Sequence, residues 1–456
     1  MRLLIARYII LSALTLVPCV SSSGAAENTD SESASLRLLL SAPPTEPIRF
    51  FPHRTVIVKS GPDVPGVAAF DKAVMRMMRK WNVPGVGLAI AKDGKLILAR
   101  GYGFQDFETR TPMLPDTQVL IGSVSKVITS LAVLRLRDQG RLDLDTKFMD
   151  ILSEYRVPPG GDVRLRDITI RHLLEHAGGW DRPLINDFTN QPLSIAKTLG
   201  VSTPVTCADV VRYTMTQRLD FSPGTRQVYS SAGFCILGRV IEKVAGQSYE
   251  SYVREQVLAP AGVHAMSIGR PHLSGRLPNE AKYYAFTSAP LVDSLFSGEG
   301  KVPLPYCCDP IAYEGAGAWV GSAVDLTRIM TELDGSRVKN FLSTDSKTQM
   351  LANNHLPHIL HADEAAGSWW GLGINVGPDP DRYGHAGIMA GSRTLLVHDE
   401  RGYVMAIVAN TSPLDTTGFS AAMVNAVVGP LTRELTGSKD DLYPQFVSPS
   451  VPARDP

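Results

Sequence analysis

Three Ser-x-x-Lys pairs lie in this sequence: Ser123/Lys126, Ser194/Lys197 and Ser336/Lys339. Residues three apart share a helix face, so each pair could bring a hydroxyl and an amine together. A hydroxyl beside a deprotonated amine is a nucleophile with its own base. Context separates the three. Lys197 runs into Thr198 to Pro204, where a helix would break, and Ser336 is followed by only a short apolar run. Ser123 stands at the start of a long apolar-periodic segment. There a backbone N–H and the positive helix end can face a developing anion. Apolar neighbours crowding Lys126 would favour its neutral form. Ser130 lies about two turns on and is expected to pack or bond locally.

Such a nucleophile needs a proton relay for the leaving group and donors for an oxyanion. Tyr229 lies in a Gly/Pro/Ser-rich loop, Ser222 to Gly233, just before a helical segment, and could point into a cleft. His385-Ala-Gly387 is expected to precede a strand, with glycine letting substrate approach the backbone. A competing pattern is His172-Leu-Leu-Glu175-His176, the HxxEH of inverted zinc proteases. A zinc hydrolase is therefore a minor alternative, although no third ligand stands out and Gly178-Gly179 end the helix at once. The sequence has no phosphate-binding P-loop, no GxGxxG and no GxSxG elbow. No cofactor is implied.

Elements must position these residues. The spacing predicts a helix from Phe70 to Trp81 and a hairpin of Val86–Ile90 and Leu96–Arg100 around Asp93-Gly94. It predicts a buried helix from Ser125 to Arg137 and another from Gly233 to Val244. Trp370–Val376, Ser392–Val397 and Tyr403–Ala409 read as strands, and Phe419–Leu435 as a helix. Strands at both ends with a helical middle, about 141–350, indicate an α+β fold. One antiparallel sheet is built from N- and C-terminal segments, flanked by helices, with a mainly helical insertion.

The chain has 456 residues, 44% hydrophobic and 20% charged, with Lys plus Arg equal to Asp plus Glu at 45 each. That balance argues against a nucleic-acid binder. Residues 1–26 carry Arg2 and Arg7, then an apolar run, then small residues, and are expected to be a secretory signal peptide. The run is shorter than the ~20 residues of a membrane span. A lipoprotein anchor at Cys19 fits poorly because Pro18 precedes it. A secreted or periplasmic protein without a stable membrane span is therefore expected. Residues 27–68 read as an extended lead-in, 69–436 as the main domain and 437–456 as a flexible tail. Without Cys19 an even set remains: Cys207, Cys235, Cys307 and Cys308. Cys207 with Cys235 is the preferred pair, against buried free thiols.

Taken in order, these segments resemble the serine β-lactamase/penicillin-binding-protein superfamily, in its branch of class C-type β-lactamases, family VIII esterases and D,D-peptidases. Ile121-Gly-Ser-Val-Ser-Lys126 looks like its Ser-x-x-Lys element, and Ile168 to Gly179 like its "LLxHTSG" segment, which demotes the zinc reading. Phe221-Ser-Pro-Gly-Thr225 with Tyr229-Ser-Ser231 resembles "PGT…YxN". Gly315-Ala-Gly317 with Asp325 resembles a later glycine-rich turn. Tyr383 to Gly387 stands where β-lactamases carry Lys-Thr-Gly and many esterases His-x-Gly. The resemblance implies that Ser123 is acylated, Lys126 and Tyr229 handle the protons, and the N–H groups of Ser123 and Ile388 form the oxyanion hole. His385 and Gly387 would line the site. Which of Lys126 and Tyr229 is the base stays open. Two departures matter. Ser231 replaces an asparagine and offers only a short hydroxyl. His385 removes a fixed positive charge that would attract a substrate carboxylate. Both favour neutral esters or amides over penicillins. The expected function is an exported serine hydrolase acting on a small ester, amide or peptide. A D,D-carboxypeptidase, a weak β-lactamase or a binding module without turnover are the alternatives.

Overall fold

The computed structural model describes residues 50–51, 55–285, 291–336, 341–358, 366–432, 435 and 437–447. The expected signal peptide, Cys19, Lys339 and the end of the tail lie outside them. Among the described residues, no helix is long and apolar enough to cross a membrane.

The main sheet is antiparallel and draws on both ends of the chain. Its strands are β1 (Lys59–Ser60), β2 (Gly85–Lys92), β3 (Lys95–Asp106), β4 (Thr111–Pro112), β5 (Trp369–Trp370), β6 (Asn375–Val376), β7 (Tyr383–Met389), β8 (Ser392–His398) and β9 (Tyr403–Ala409). The order is β1-β3-β2-β9-β8-β7-β6-β5, with β4 paired to β3. Asp93 and Gly94 close the β2/β3 hairpin with φ of 51° and 72°, the left-handed pair that a two-residue turn needs. Helices α1 (Val67–Trp81) and α7 (Thr416–Val428) lie together over the sheet, where Phe70, Met78, Phe419 and Met423 meet Leu88, Ile90, Leu98 and Ile407. The described residues between 113 and 368 carry most of the remaining helices, which pack as a layer on the other side of the sheet. They include α2 (Ser125–Asp138), α3 (Ile170–Leu174), α4 (Cys207–Thr214), α5 (Ala232–Ala245) and α6 (Ala323–Leu333).

Helix α2 is the axis of that layer. Val127, Ile128, Leu131, Ala132, Leu134 and Leu136 are all buried, so its apolar residues bury nearly all round rather than along one stripe. Cys207 at the start of α4 and Cys235 in α5 are joined by a disulfide.

Three expectations are corrected. Trp370–Val376 is not one strand. The chain folds back at Gly371–Ile374, so that Trp369 pairs with Val376. Gly373 has φ 71°, and a Cβ there would meet Ser130 Oγ at 2.0 Å. His385 and Gly387 do not precede a strand; they sit inside β7, paired along its length with β8. Nor does the chain from 437 run free as far as 447. Leu442 donates its N–H to Leu96 O, Arg328 holds the Tyr443 carbonyl at 2.6 Å, and both Leu442 and Tyr443 are buried. The lead-in is likewise docked at its end. Phe50 and Phe51 join Phe104, Phe107 and Tyr284 in an aromatic cluster.

Candidate active site

Ser123 occupies a single 3-10 turn, Gly122–Val124, that runs straight into α2. Two neighbours fix the approach to this turn. Val119–Leu120 pairs with Trp319–Gly321, and Ile121 donates to Trp319 O at 2.9 Å. Strand β7 lies against the turn itself. A Cβ on Gly387 would fall 1.9 Å from Ile121 O and 3.3 Å from Ser123 N. A Cβ on Gly122, whose φ is 54°, would fall 2.6 Å from Ile388 N. Glycine at both positions is what lets the backbones of Ser123 and Ile388 come together.

One turn into α2, Lys126 is fully buried. Its Nζ donates to Ala316 O at 2.8 Å and lies 3.1 Å from Ser123 Oγ and 3.3 Å from Ser231 Oγ. The Gly315–Gly317 turn carrying that carbonyl is tied to α2 through Thr129, which donates to Gly315 O at 2.6 Å. Burial pushes the Lys126 amine down to about 7. Asp187 opposes the shift and the Arg182 guanidinium adds to it. In its neutral form the amine keeps one hydrogen for Ala316 and offers a lone pair to the Ser123 hydroxyl.

Tyr229 and Ser231 precede α5, as the sequence suggests. Lys126 Nζ is 4.9 Å from the Tyr229 ring centroid. The ring packs against His176 at 4.3 Å and Trp370 at 5.2 Å between centroids. Ser231 N–H donates to Asp187 Oδ2 at 2.5 Å, which places its hydroxyl beside the amine.

His385 faces the same ring, 6.1 Å between centroids. Its Nδ1 lies 2.6 Å from Ala386 O, so the ring hydrogen belongs on Nδ1 and Nε2 is left as a buried acceptor. Burial, with the Lys126 charge next, pushes its pKa down to about 3. The imidazole is therefore neutral over the working range.

The structure thus brings Ser123, Lys126, Tyr229, Ser231, His385, Gly387 and Ile388 together in one cluster. It does not bring in Ser194/Lys197: Lys197 is exposed on a separate helix, unlike buried Lys126, and Lys339 lies outside the described residues. The HxxEH residues serve different ends. His172 Nδ1 accepts from Thr169 N in a capping box at the start of α3. His176 lies past that helix with φ 56°, accepts from Ser230 N, and supports Tyr229. Among the described residues no cluster is placed to hold a metal ion. Sequence reasoning missed Arg182, Asp187, Trp370 and the Ala316 carbonyl. They come from a short helix and loops of the insertion and from a tight hairpin, with no periodic signal to single them out. Only the family-like Gly315-Ala-Gly317 pointed towards Ala316.

The fold is shared with known hydrolases. A D-amino acid amidase from Ochrobactrum anthropi superposes with a TM-score of 0.62 at 20% identity, over 80% of this chain and 97% of that one. EstCE1, a hydrolase with promiscuous acyltransferase activity, superposes at 0.59 and 23%, over 79% and 98%. At such identities the likeness speaks for the fold alone. In sequence, Protein flp of Staphylococcus aureus (strain N315) is 30% identical over 190 residues, 42% of this chain and 36% of that protein. The chain thus spans little more than a third of that relative's length. The Beta-lactamase family profile matches residues 70–429. That span takes in the Ser123 turn, the Tyr229 loop and strand β7 alike, and the chain belongs to the Beta-lactamase family.

Proposed function

We propose that this protein is a serine hydrolase that cleaves a small ester or amide through an acyl-enzyme on Ser123. The observation that carries the proposal is the buried Lys126 amine, 3.1 Å from Ser123 Oγ and pushed down to about 7. A neutral amine at that distance can take the hydroxyl proton as Oγ attacks the carbonyl carbon. The N–H groups of Ser123 and Ile388 would receive the oxyanion, held together by the glycines at 122 and 387. Tyr229, packed between His176 and Trp370, would pass a proton to the leaving group. Water then returns the enzyme by the reverse path. Ser231 takes part here as a hydroxyl contact to Lys126 in place of an asparagine.

Esters, amides, β-lactams and D-amino peptides should be offered to wild type and Ser123→Ala. Turnover of short esters or amides that disappears in the variant supports the reading. Unchanged turnover in the variant removes it, and nitrocefin hydrolysis faster than ester hydrolysis would move the substrate to β-lactams. Export is part of the proposal. It rests on the N-terminal sequence and on the Cys207–Cys235 disulfide, which suits an oxidising compartment. N-terminal sequencing of the protein from the producing cell's exterior or periplasm tests it: a start near Glu27 agrees, and retention of Met1 in the cytoplasm does not.

A further inference from the structure

The loss of the β7 lysine does not leave the site without a fixed cation. Arg182, on the short helix Arg182–Ile185, places its guanidinium 5.4 Å from the Tyr229 ring centroid. The same ring has Lys126 Nζ at 4.9 Å. The two carboxylates nearest in sequence are already engaged. Asp181 pairs with Arg226 at 2.9 Å. Asp187 is buried and bonds Thr189 and the Ser231 N–H. Among the described residues, Arg182 forms no ion pair. It is half-buried, with its charge turned to the ring of the residue read as the leaving-group relay. A guanidinium held on an aromatic face is pre-organised to receive a carboxylate through two parallel N–H bonds. His385, near the same ring, is neutral and presents only an acceptor. An anion beside Tyr229 would therefore meet its cation from the inserted layer and not from β7.

We propose that Arg182 is a specificity residue that receives a carboxylate on the leaving-group half of the substrate. The inference rests on the serine hydrolase reading above and deepens it. It reverses the expectation of neutral substrates drawn from Ser231 and His385.

A matched ester pair tests it: the acetates of 3-hydroxybenzoate and of 3-hydroxybenzamide. Both would leave the same acetyl group on Ser123, so their kcat/KM values differ only in acylation. Wild type should favour the benzoate ester tenfold or more, the worth of one charge-assisted pair. Arg182→Gln should bring that ratio close to one, and Arg182→Lys should restore part of it. The ratio is the readout because Arg182 also acts on Lys126, and any change there affects both esters alike. No preference in wild type, or a ratio unchanged in Arg182→Gln, overturns the proposal. If neither ester acetylates Ser123 by mass spectrometry, the hydrolase reading falls and this inference falls with it.

Discussion

If Lys126 must be neutral to take the Ser123 proton, pH should control the rate through that one amine. Burial holds it at about 7 instead of the lysine value of 10.5. Below that point, the neutral fraction falls about tenfold per pH unit. The ester kcat/KM should therefore stand at roughly a tenth of its plateau at pH 6, half at pH 7 and nine tenths at pH 8. His385, already neutral above about 3, adds no limb between pH 4 and 9. Two substitutions should move the limb in opposite directions. Asp187 favours the charged amine, so Asp187→Asn shifts it to lower pH. Arg182 disfavours it, so Arg182→Gln shifts it to higher pH. The assay is initial ester hydrolysis, followed at a wavelength where both forms of the released phenol absorb equally. A profile flat from pH 6 to 8 would refute the reasoning. So would a limb near the ordinary lysine value, or both variants moving the limb the same way.

Three further outcomes follow from the packing. Gly387→Ala puts a methyl into Ile121 O and against Ser123 N. The turn must give by about 1 Å, so kcat should fall on the order of 100-fold, as steady-state kinetics will show. Ser231→Ala removes one long contact to Lys126 and should lower kcat/KM about fivefold, a neutral hydrogen bond's worth. Lys126→Met should abolish turnover yet stabilise the fold. Holding the amine at about 7 rather than 10.5 costs the folded state roughly 4 to 5 kcal/mol at pH 7 and below. The cost fades as pH climbs towards the unfolded value, because only the unfolded chain then still binds the proton. Subtracting about 1 to 3 kcal/mol for the orphaned Ala316 carbonyl leaves a net gain. Calorimetry should show a Tm a few degrees higher at pH 7, with the advantage shrinking by pH 10.

The parts of the site that were legible lie on regular elements. Helix α2 announces itself through Val127, Ile128, Leu131 and Leu134; it carries Lys126 in its first turn, with Ser123 in the 3-10 turn that leads into it. The Asp93-Gly94 turn marks its hairpin because both positions need a left-handed backbone. Strand β7 was hidden for a physical reason. Gly384 and Gly387 break the alternation of a strand, and they are there because Leu396 O and Ile121 O pass too close for side chains. Gly371 and Gly373 likewise disguise a hairpin inside an apolar run. Arg182 and Asp187 had no periodic context at all. Their roles come from tertiary placement: one stacks on Tyr229, the other holds Ser231. The docked stretch 437–447 contributes only Leu442 and Tyr443 to the core among polar neighbours, too little apolar signal to separate it from a loose end.

The central claim is tested most directly by trapping the intermediate. Wild-type protein mixed with excess p-nitrophenyl acetate at pH 8, where Lys126 is largely neutral and acylation is fast, should be quenched at once in strong acid, digested and its peptides weighed. The account predicts one acetyl group per chain, on the peptide containing Ser123, and none there in Ser123→Ala. Hydrolysis with no adduct on Ser123, or an adduct on another residue whose loss stops turnover, would contradict it.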